Sequence, residues 1–178
     1  MLGFRATSDG VTARFAKPEA AIIRDLVTQV VELVAADMPP PDADELAAMV
    51  GMSDSTELPE DPVLARLLPD GYRDDPEAAQ DFRRFTESGL RSAKVECAQT
   101  LLESLPVGGG RVRLSSDQAQ AWLRSLNDVR LALGVRLGVT DDFDGLSGEA
   151  QPDDPRYAYI QVYQWLAYVQ ESLVEALS

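Results

Sequence analysis

Alternation of apolar and polar residues is clearest at the start of the chain. In the stretch FRATSDGVTARF, residues 4–15, the side chains mirror one another about Asp9 and Gly10. Asp-Gly between alternating residues favours a β-hairpin with a type I′ turn, because that turn needs positive φ. The mirror pattern predicts that Arg5 faces Arg14, although like charges directly opposite each other are unfavourable.

A second alternating stretch, RVRL at residues 111–114, predicts a third strand. Successive side chains of a strand point to opposite faces, so the three strands would have one apolar and one polar face. The apolar face, packed on helices, would consist of Phe4, Ala6, Val11, Ala13, Phe15, Val112 and Leu114. The polar face would expose Arg5, Arg14, Arg111 and Arg113. We interpret these arginines as a candidate surface for an acidic partner. The alternative is that nearby Asp and Glu side chains of the same chain pair with the arginines, or that solvent screens their charge.

Apolar residues at helical spacing predict four further elements. An N-terminal helix begins near Pro18, a long helix covers 76–105, a second covers about 116–138, and the last follows Pro155. Capping residues precede the helices: the Asp-Pro pairs at 61–62, 75–76 and 154–155, and Ser115 with Gln118 as a capping box.

These elements predict a mainly α fold. It would contain three long helices, the N-terminal helix, and a small antiparallel sheet made of the hairpin and strand 111–114. We expect a single domain over residues 1–178, an ordinary length for one domain. Within it, residues 38–61 read as an acidic, Pro-rich linker and residues 140–154 as an acidic loop.

The inventory of reactive side chains is small. The 178 residues contain no histidine and one cysteine, Cys97. These counts exclude a Ser-His-Asp triad, a Cys-His pair, a Cys/His zinc site and an intramolecular disulfide. We therefore expect no enzyme, no catalytic residue, no cofactor and no metal site. No apolar run approaches the ~20 residues of a membrane span, and the N-terminus lacks a signal-like apolar region. A cytoplasmic protein without membrane contact is the expectation.

Charge is unevenly distributed along the chain. The formal net charge is −14, yet residues 83–136 contain nine Lys and Arg against five Asp and Glu. The acidic total argues against direct nucleic-acid binding, which depends on neutralising phosphates. The basic middle could serve a local anionic partner or pair with the acidic flanks of its own fold.

Arg130 interrupts an apolar stripe on the predicted helix 116–138. The stripe consists of Trp122, Leu123, Leu126, Leu133 and Leu137. A buried guanidinium is tolerated when it is paired, so we expect Arg130 to be buried beside a carboxylate, with Asn127 joining the network. The candidate carboxylates, on the other long helices, are Glu87, Glu96 and Glu171. The site is either a structural ion pair or an anion-binding pocket.

Cys97 lies on a helical stripe with Phe82, Leu90, Ala93 and Leu101. A thiol in such a stripe behaves as a small hydrophobe, and we expect it in the core. Lys94 is close in sequence, so a redox-active thiolate is the alternative.

Three stretches together resemble a known family. They are LLPDGYRDDPEAAQDFRRFTESGLRSAKVECAQTLLESLP, LSSDQAQAWLRSLNDVRLALGVRLGVTDD and YQWLAYVQESLVEAL. They are similar to an actinobacterial family catalogued as a domain of unknown function and typified by the oxidative-stress regulator AosR. The resemblance implies a non-enzymatic cytoplasmic regulator that acts with an extracytoplasmic-function sigma factor. It also implies a redox switch made by a cysteine pair, which a chain with Cys97 alone lacks.

Together these features predict a module that binds a protein of the transcription machinery. Two alternatives stay open. One is a structural or homodimeric assembly protein that pairs through its C-terminal aromatic helix. The other is an anion or metabolite sensor centred on Arg130.

Overall fold

The computed structural model describes residues 2–36, 38, 59–71, 75–139 and 155–178. Its elements are β1 (Leu2–Thr7), β2 (Gly10–Phe15), α1 (Lys17–Ala35), α2 (Pro62–Leu67), α3 (Pro76–Ser104), β3 (Gly110–Leu114), α4 (Ser116–Leu137) and α5 (Tyr157–Leu177). The predicted mainly α fold with a small antiparallel sheet is confirmed. Most of the predicted linker at 38–61 and the whole of the predicted loop at 140–154 lie outside the described residues.

The helices begin where their capping residues predict. Asp61 accepts hydrogen bonds from the backbone of α2, and Asp75 does the same for α3. Ser115 and Gln118 form the expected capping box, with each side chain bonded to the other residue's backbone N–H. The last helix differs from the prediction, because it begins at Tyr157 rather than at Pro155.

The sheet has the order β1-β2-β3, and both strand pairs are antiparallel. The third strand at 111–114 is therefore confirmed. The predicted hairpin register is wrong: Arg5 pairs with Thr12, and Thr7 pairs with Gly10, so the two-residue turn lies at 8–9, one residue earlier than predicted. Ala6, expected on the packed face, is exposed beside this turn.

The backbone of Gly10 fits the shifted turn. Its φ of 138° is positive, and no other residue type has positive φ in the described part of the chain, so the expected type I′ turn is absent there. A Cβ atom on Gly10 would lie 2.0 Å from the carbonyl oxygen of Leu114. Glycine is needed here as the first residue of β2, where β3 approaches closely, and not as the centre of the turn.

The sheet is held on the helices by an aromatic cluster of Phe4, Phe15 and Trp122. The ring centroids are 5.9 Å apart for the two phenylalanines, and the Trp122 centroid lies 5.6 Å from Phe4 and 5.8 Å from Phe15. The indole N–H of Trp122 donates to Ser104 Oγ at 2.8 Å, which ties α4 to the end of α3. The inner face of the sheet thus belongs to the main core.

The first half of α3 presents a charged face to the interior. Arg83, Glu87 and Arg91 are each about 95% buried, and they follow one another at four-residue spacing. Glu87 accepts from Arg83 Nη1 at 2.8 Å and from Arg91 Nε at 3.0 Å. We refer to these three side chains as the buried charge ladder.

The buried charge ladder reaches the neighbouring segments through the two guanidinium groups. Arg83 donates to Asp70 Oδ1 at 2.6 Å and to the Leu68 carbonyl at 3.1 Å. Arg91 donates to the Val34 carbonyl, at the end of α1, at 2.6 Å. Burial opposes the charge on Arg83, but its hydrogen bonds with Asp70 and Glu87 outweigh that and raise its pKa. The ladder therefore anchors α2 and the end of α1 to α3.

A second buried pair joins α3 to α4. Lys94 Nζ donates to Asp128 Oδ1 at 2.7 Å, and both side chains are largely buried. Burial raises the pKa of Asp128 above its ordinary value of 3.8, although the hydrogen bond and charge of Lys94 act in the opposite direction.

Within the described ranges, no helix has the length and apolar content to cross a bilayer.

Glu87→Gln should lower the free energy of unfolding by about 3 kcal/mol, because it removes the buried negative charge that Arg83 and Arg91 share. Urea denaturation followed by circular dichroism measures the loss. Glu96→Gln is the matched control, since Glu96 is exposed on the same helix, and a surface change of this kind stays within about 0.5 kcal/mol. Equal losses for the two variants would contradict the structural role of the ladder.

Asp128→Asn should change the pH dependence of stability. A carboxyl group whose pKa is higher in the folded chain stabilises the fold below its unfolded pKa, and that contribution is lost as pH rises through the folded pKa. The free energy of unfolding of the wild type minus that of Asp128→Asn should therefore decrease as pH rises above 3.8. Urea titrations at several pH values measure this difference, and an increase with pH would refute the assignment.

Candidate partner-binding surface

The four arginines predicted to share a face do so. Arg5, Arg14, Arg111 and Arg113 are exposed, while the alternate residues Val112 and Leu114 are buried beneath β3. The pairing of β2 with β3 sets Arg14 opposite Arg111, and Thr12 opposite Arg113. We call the exposed side of the sheet the arginine face. The like-charge pair expected within the hairpin is thus found between β2 and β3 instead.

Strand geometry gives the size of this surface. Directly opposed residues have Cβ atoms about 5 Å apart, and residues two apart on a strand are about 7 Å apart. Arg14 and Arg111 are opposed, Arg113 lies two residues beyond Arg111, and Arg5 lies two strands from Arg113 in the same row. Four positive charges therefore originate within a patch roughly 10 Å by 7 Å.

The arginine face lacks carboxylate partners among the described residues. The carboxylates in the ion pairs of the described residues are those of Asp70, Glu87 and Asp128, and none of these residues belongs to the sheet. Thr12, in the middle of the face, turns its hydroxyl onto the Val112 carbonyl at 2.8 Å. The described fold therefore leaves the four guanidinium groups available to an external acid. Their role in partner binding stays a prediction.

Arg130 has a different partner from the one expected. It is half-buried, and its Nη1 donates to Gln170 Oε1 at 2.7 Å. Its guanidinium carbon lies 5.3 Å from the ring centroid of Tyr163. Nε is buried without a hydrogen bond in the described structure. An amide and an aromatic ring of α5 thus take the place of the expected carboxylate.

The carboxylates proposed for Arg130 lie elsewhere. Glu87 is engaged by the buried charge ladder, and Glu96 and Glu171 are exposed. Glu171 follows Gln170 directly, and one residue turns the side chain by about 100° around the helix, towards solvent. Asn127 is exposed and makes no hydrogen bond to Arg130 among the described contacts. The predicted ion pair of Arg130 is therefore not present in the described part of the chain.

Cys97 is buried, as expected for a core thiol, with a relative exposure of 9%. The stripe assigned to it is wrong in part, because Phe82 and Leu90 are 44% and 39% exposed. The core face of α3 lies one position around the helix and continues through Ala98 and Leu101. Lys94, considered as an activator of the thiol, is instead bonded to Asp128.

The C-terminal helix packs most of its apolar residues inside. Leu166, Val169 and Leu173 are fully buried, whereas Tyr159 and Tyr168 are about half exposed. Ser172 accepts a hydrogen bond from the backbone N–H of Phe4 at 3.1 Å, so α5 lies along β1. Much of this helix is already used in holding the sheet.

The buried charge ladder was missed by sequence analysis. A signal for it exists, because Arg83, Glu87 and Arg91 continue the face that contains Ala98 and Leu101 further along the same helix. Charged residues at four-residue spacing are typical of a solvated helix surface, so the pattern alone wrongly predicts that these three side chains are exposed. Within the described ranges, no three Asp, Glu or Cys side chains cluster as metal ligands.

Cys97 should react with a thiol reagent about tenfold or more slowly in the folded chain than in denaturant, because reaction requires local opening of the structure. Absorbance on release of the reagent's chromophore measures both rates. Equal rates would contradict the buried position and would support the alternative that Cys97 is a redox-active thiol.

Comparison with known proteins agrees with the resemblance in the sequence. The profile of the domain of unknown function DUF2017 matches residues 1–177. Relatives from Mycobacterium bovis and Mycobacterium tuberculosis H37Rv are 38% identical over 190 residues, which cover 96% of this chain and 84% of each relative. Both are named oxidative stress regulator AosR. A Mycobacterium leprae relative of the same regulator name is 37% identical over 174 residues, covering 89% of this chain and 78% of its own length.

No solved structure matches the chain. Because the family profile covers 177 of the 178 residues and the alignments cover 78% to 84% of these relatives, the chain belongs to the DUF2017 family and is similar to the mycobacterial oxidative stress regulators AosR.

Proposed function

We propose that this protein is a non-enzymatic cytoplasmic regulator of the stress response that acts by binding an acidic surface of a transcription component, a sigma factor in the first instance. The stress-response role rests on the relatives named oxidative stress regulator. The observation that carries the binding surface is the arginine face, on which four exposed guanidinium groups have no carboxylate partner among the described residues.

The opposed pair of Arg14 and Arg111 is unfavourable in the free protein. Solvent screens the repulsion between the two arginines, and an acidic partner would offset it by attraction between the arginines and its carboxylates. Arginine is suited to this task because its planar guanidinium binds a carboxylate through two parallel hydrogen bonds. A surface with several such groups can therefore hold a row of Asp and Glu side chains.

A protein partner fits the charge distribution better than nucleic acid does. The face is basic, but the whole chain has a formal net charge of −14. A nucleic acid extends far beyond a 10 Å patch and would meet repulsion from the rest of the molecule. An acidic segment confined to the sheet would avoid most of that repulsion.

The proposal includes no intrachain thiol switch. One cysteine cannot form an intramolecular disulfide, and Cys97 is buried. Any response to oxidant in this chain therefore depends on its partner, on an intermolecular thiol reaction after local opening, or on changes in its abundance.

Reversing two charges on the arginine face tests the proposal. Arg14→Glu with Arg111→Glu should slow association with the cognate sigma factor about tenfold at low salt and weaken the dependence of the association rate on ionic strength, because charge at a binding surface acts mainly on the association rate. Biolayer interferometry with each purified sigma factor of the source organism measures the rates. Circular dichroism checks that the variant is folded.

The matched control is Arg84→Glu with Arg124→Glu. Both arginines are exposed on helices and neither belongs to the sheet, and the change in net charge is the same. Association should be slowed much less in this variant. If the two double variants behave alike, or if the sheet variant associates as the wild type does, the arginine face is not the binding surface.

A further inference from the structure

In the described fold, one edge of the sheet is covered by a helix and the other is open. The outer edge of β1 lies against α5, where the backbone N–H of Phe4 donates to Ser172 Oγ at 3.1 Å. A Cβ atom on Gly3 would lie 2.7 Å from Ser172 Cβ, so the helix leaves no room for another strand. On the other side, β3 is the last strand of the sheet, and no described segment pairs with its outer edge.

The orientation of the backbone of β3 follows from two contacts with β2. The Val112 carbonyl accepts from Thr12 Oγ1 at 2.8 Å, so it points to β2. The Leu114 carbonyl lies within 2.0 Å of where a Gly10 Cβ would stand, so it also points to β2. Adjacent residues of a strand direct their N–H and C=O groups to opposite sides. The N–H and C=O groups of Arg111 and Arg113 therefore point to the open edge.

The side chains along this edge define what could pair with it. Arg111 and Arg113 point to the exposed face, whereas Val112 and Leu114 point into the core. Residues of an added strand would lie about 5 Å from these side chains, with acids favoured opposite the arginines. Apolar residues at the alternating positions would continue the inner face of the sheet.

We propose that the open edge of β3 receives an extended segment of the partner, with alternating acidic and apolar residues, as a fourth strand. This inference rests on the proposed function and specifies how the arginine face is used. The main-chain groups of Arg111 and Arg113 supply ladder hydrogen bonds, and their guanidinium groups select carboxylates. The arginines also disfavour pairing of two copies through the same edge, because identical edges would set arginine against arginine.

The test uses the full chain and a synthetic heptapeptide, acetylated and amidated, in which Glu alternates with Val and occupies both ends. Hydrogen exchange followed by NMR reports on individual amides. At a peptide concentration about ten times Kd, the amides of Arg111 and Arg113 should exchange about tenfold more slowly. The Val112 amide, which faces β2, serves as the internal reference and should change little by comparison.

Two variants of the probe separate the backbone from the charge. A peptide N-methylated at the residues that would donate to β3 keeps its charges but loses ladder hydrogen bonds, so its binding should weaken at least tenfold. The double variant Arg111→Glu with Arg113→Glu should lose the Glu peptide and gain a peptide in which Lys replaces Glu. The Lys peptide should in turn slow exchange at positions 111 and 113.

The outcomes distinguish this inference from the proposed function. If the Glu peptide binds but exchange at Arg111 and Arg113 is unchanged, or if N-methylation has no effect, strand addition is overturned while the arginine face remains a binding surface. If the Glu peptide fails to bind but sigma-factor association depends on the arginine face, strand addition is likewise overturned. Failure of both assays overturns both proposals.

Discussion

Contact between Trp122 and the two phenylalanines of the hairpin is the interaction on which the rest of the structure depends. A small sheet gains stability only when one face is packed against other elements. Phe4 and Phe15 supply that face, and Trp122 of α4 lies between 5.6 and 5.8 Å from both rings. Because side chains alternate along a strand, fixing this face inward forces the arginines of the same strands outward. The exposed charge is thus a consequence of how the core is packed.

Arginine has two distinct roles in this fold, and burial separates them. Arg83 and Arg91 are inside and have carboxylate or carbonyl partners at hydrogen-bond distance. The arginines of the sheet are outside, and no described residue supplies a carboxylate to them. Burying a charge without a partner costs too much desolvation free energy, whereas an exposed charge is hydrated and needs no partner within the fold. The distribution of partners therefore distinguishes the structural arginines from those available for binding.

Local patterns predicted the elements well, because their causes are local. The capping box at Ser115, the Asp-Pro starts of two helices and the period-two RVRL strand all depend on residues within four positions of one another. The predicted hairpin register was wrong because the register depends on a distant residue. Position 10 needs glycine because the carbonyl group of Leu114, more than a hundred positions away, approaches it closely. The partner of Arg130 was wrong for a similar reason, since rotation of α5 decides whether Gln170 or Glu171 faces it. The charged interior of α3 could not be inferred from that helix alone, because its acceptors include Asp70 and the carbonyl groups of Leu68 and Val34.

Site-specific photo-crosslinking in living cells tests most directly whether the exposed side of the sheet is the surface that meets the partner. A photoreactive amino acid would replace Thr7, which is exposed on β1, and in a parallel strain Val174, which is exposed on α5. The account predicts that crosslinks from position 7 reach an acidic segment of a sigma factor or another transcription component, and that position 174 gives none to that protein. Crosslinks to the same partner from position 174 alone would contradict it.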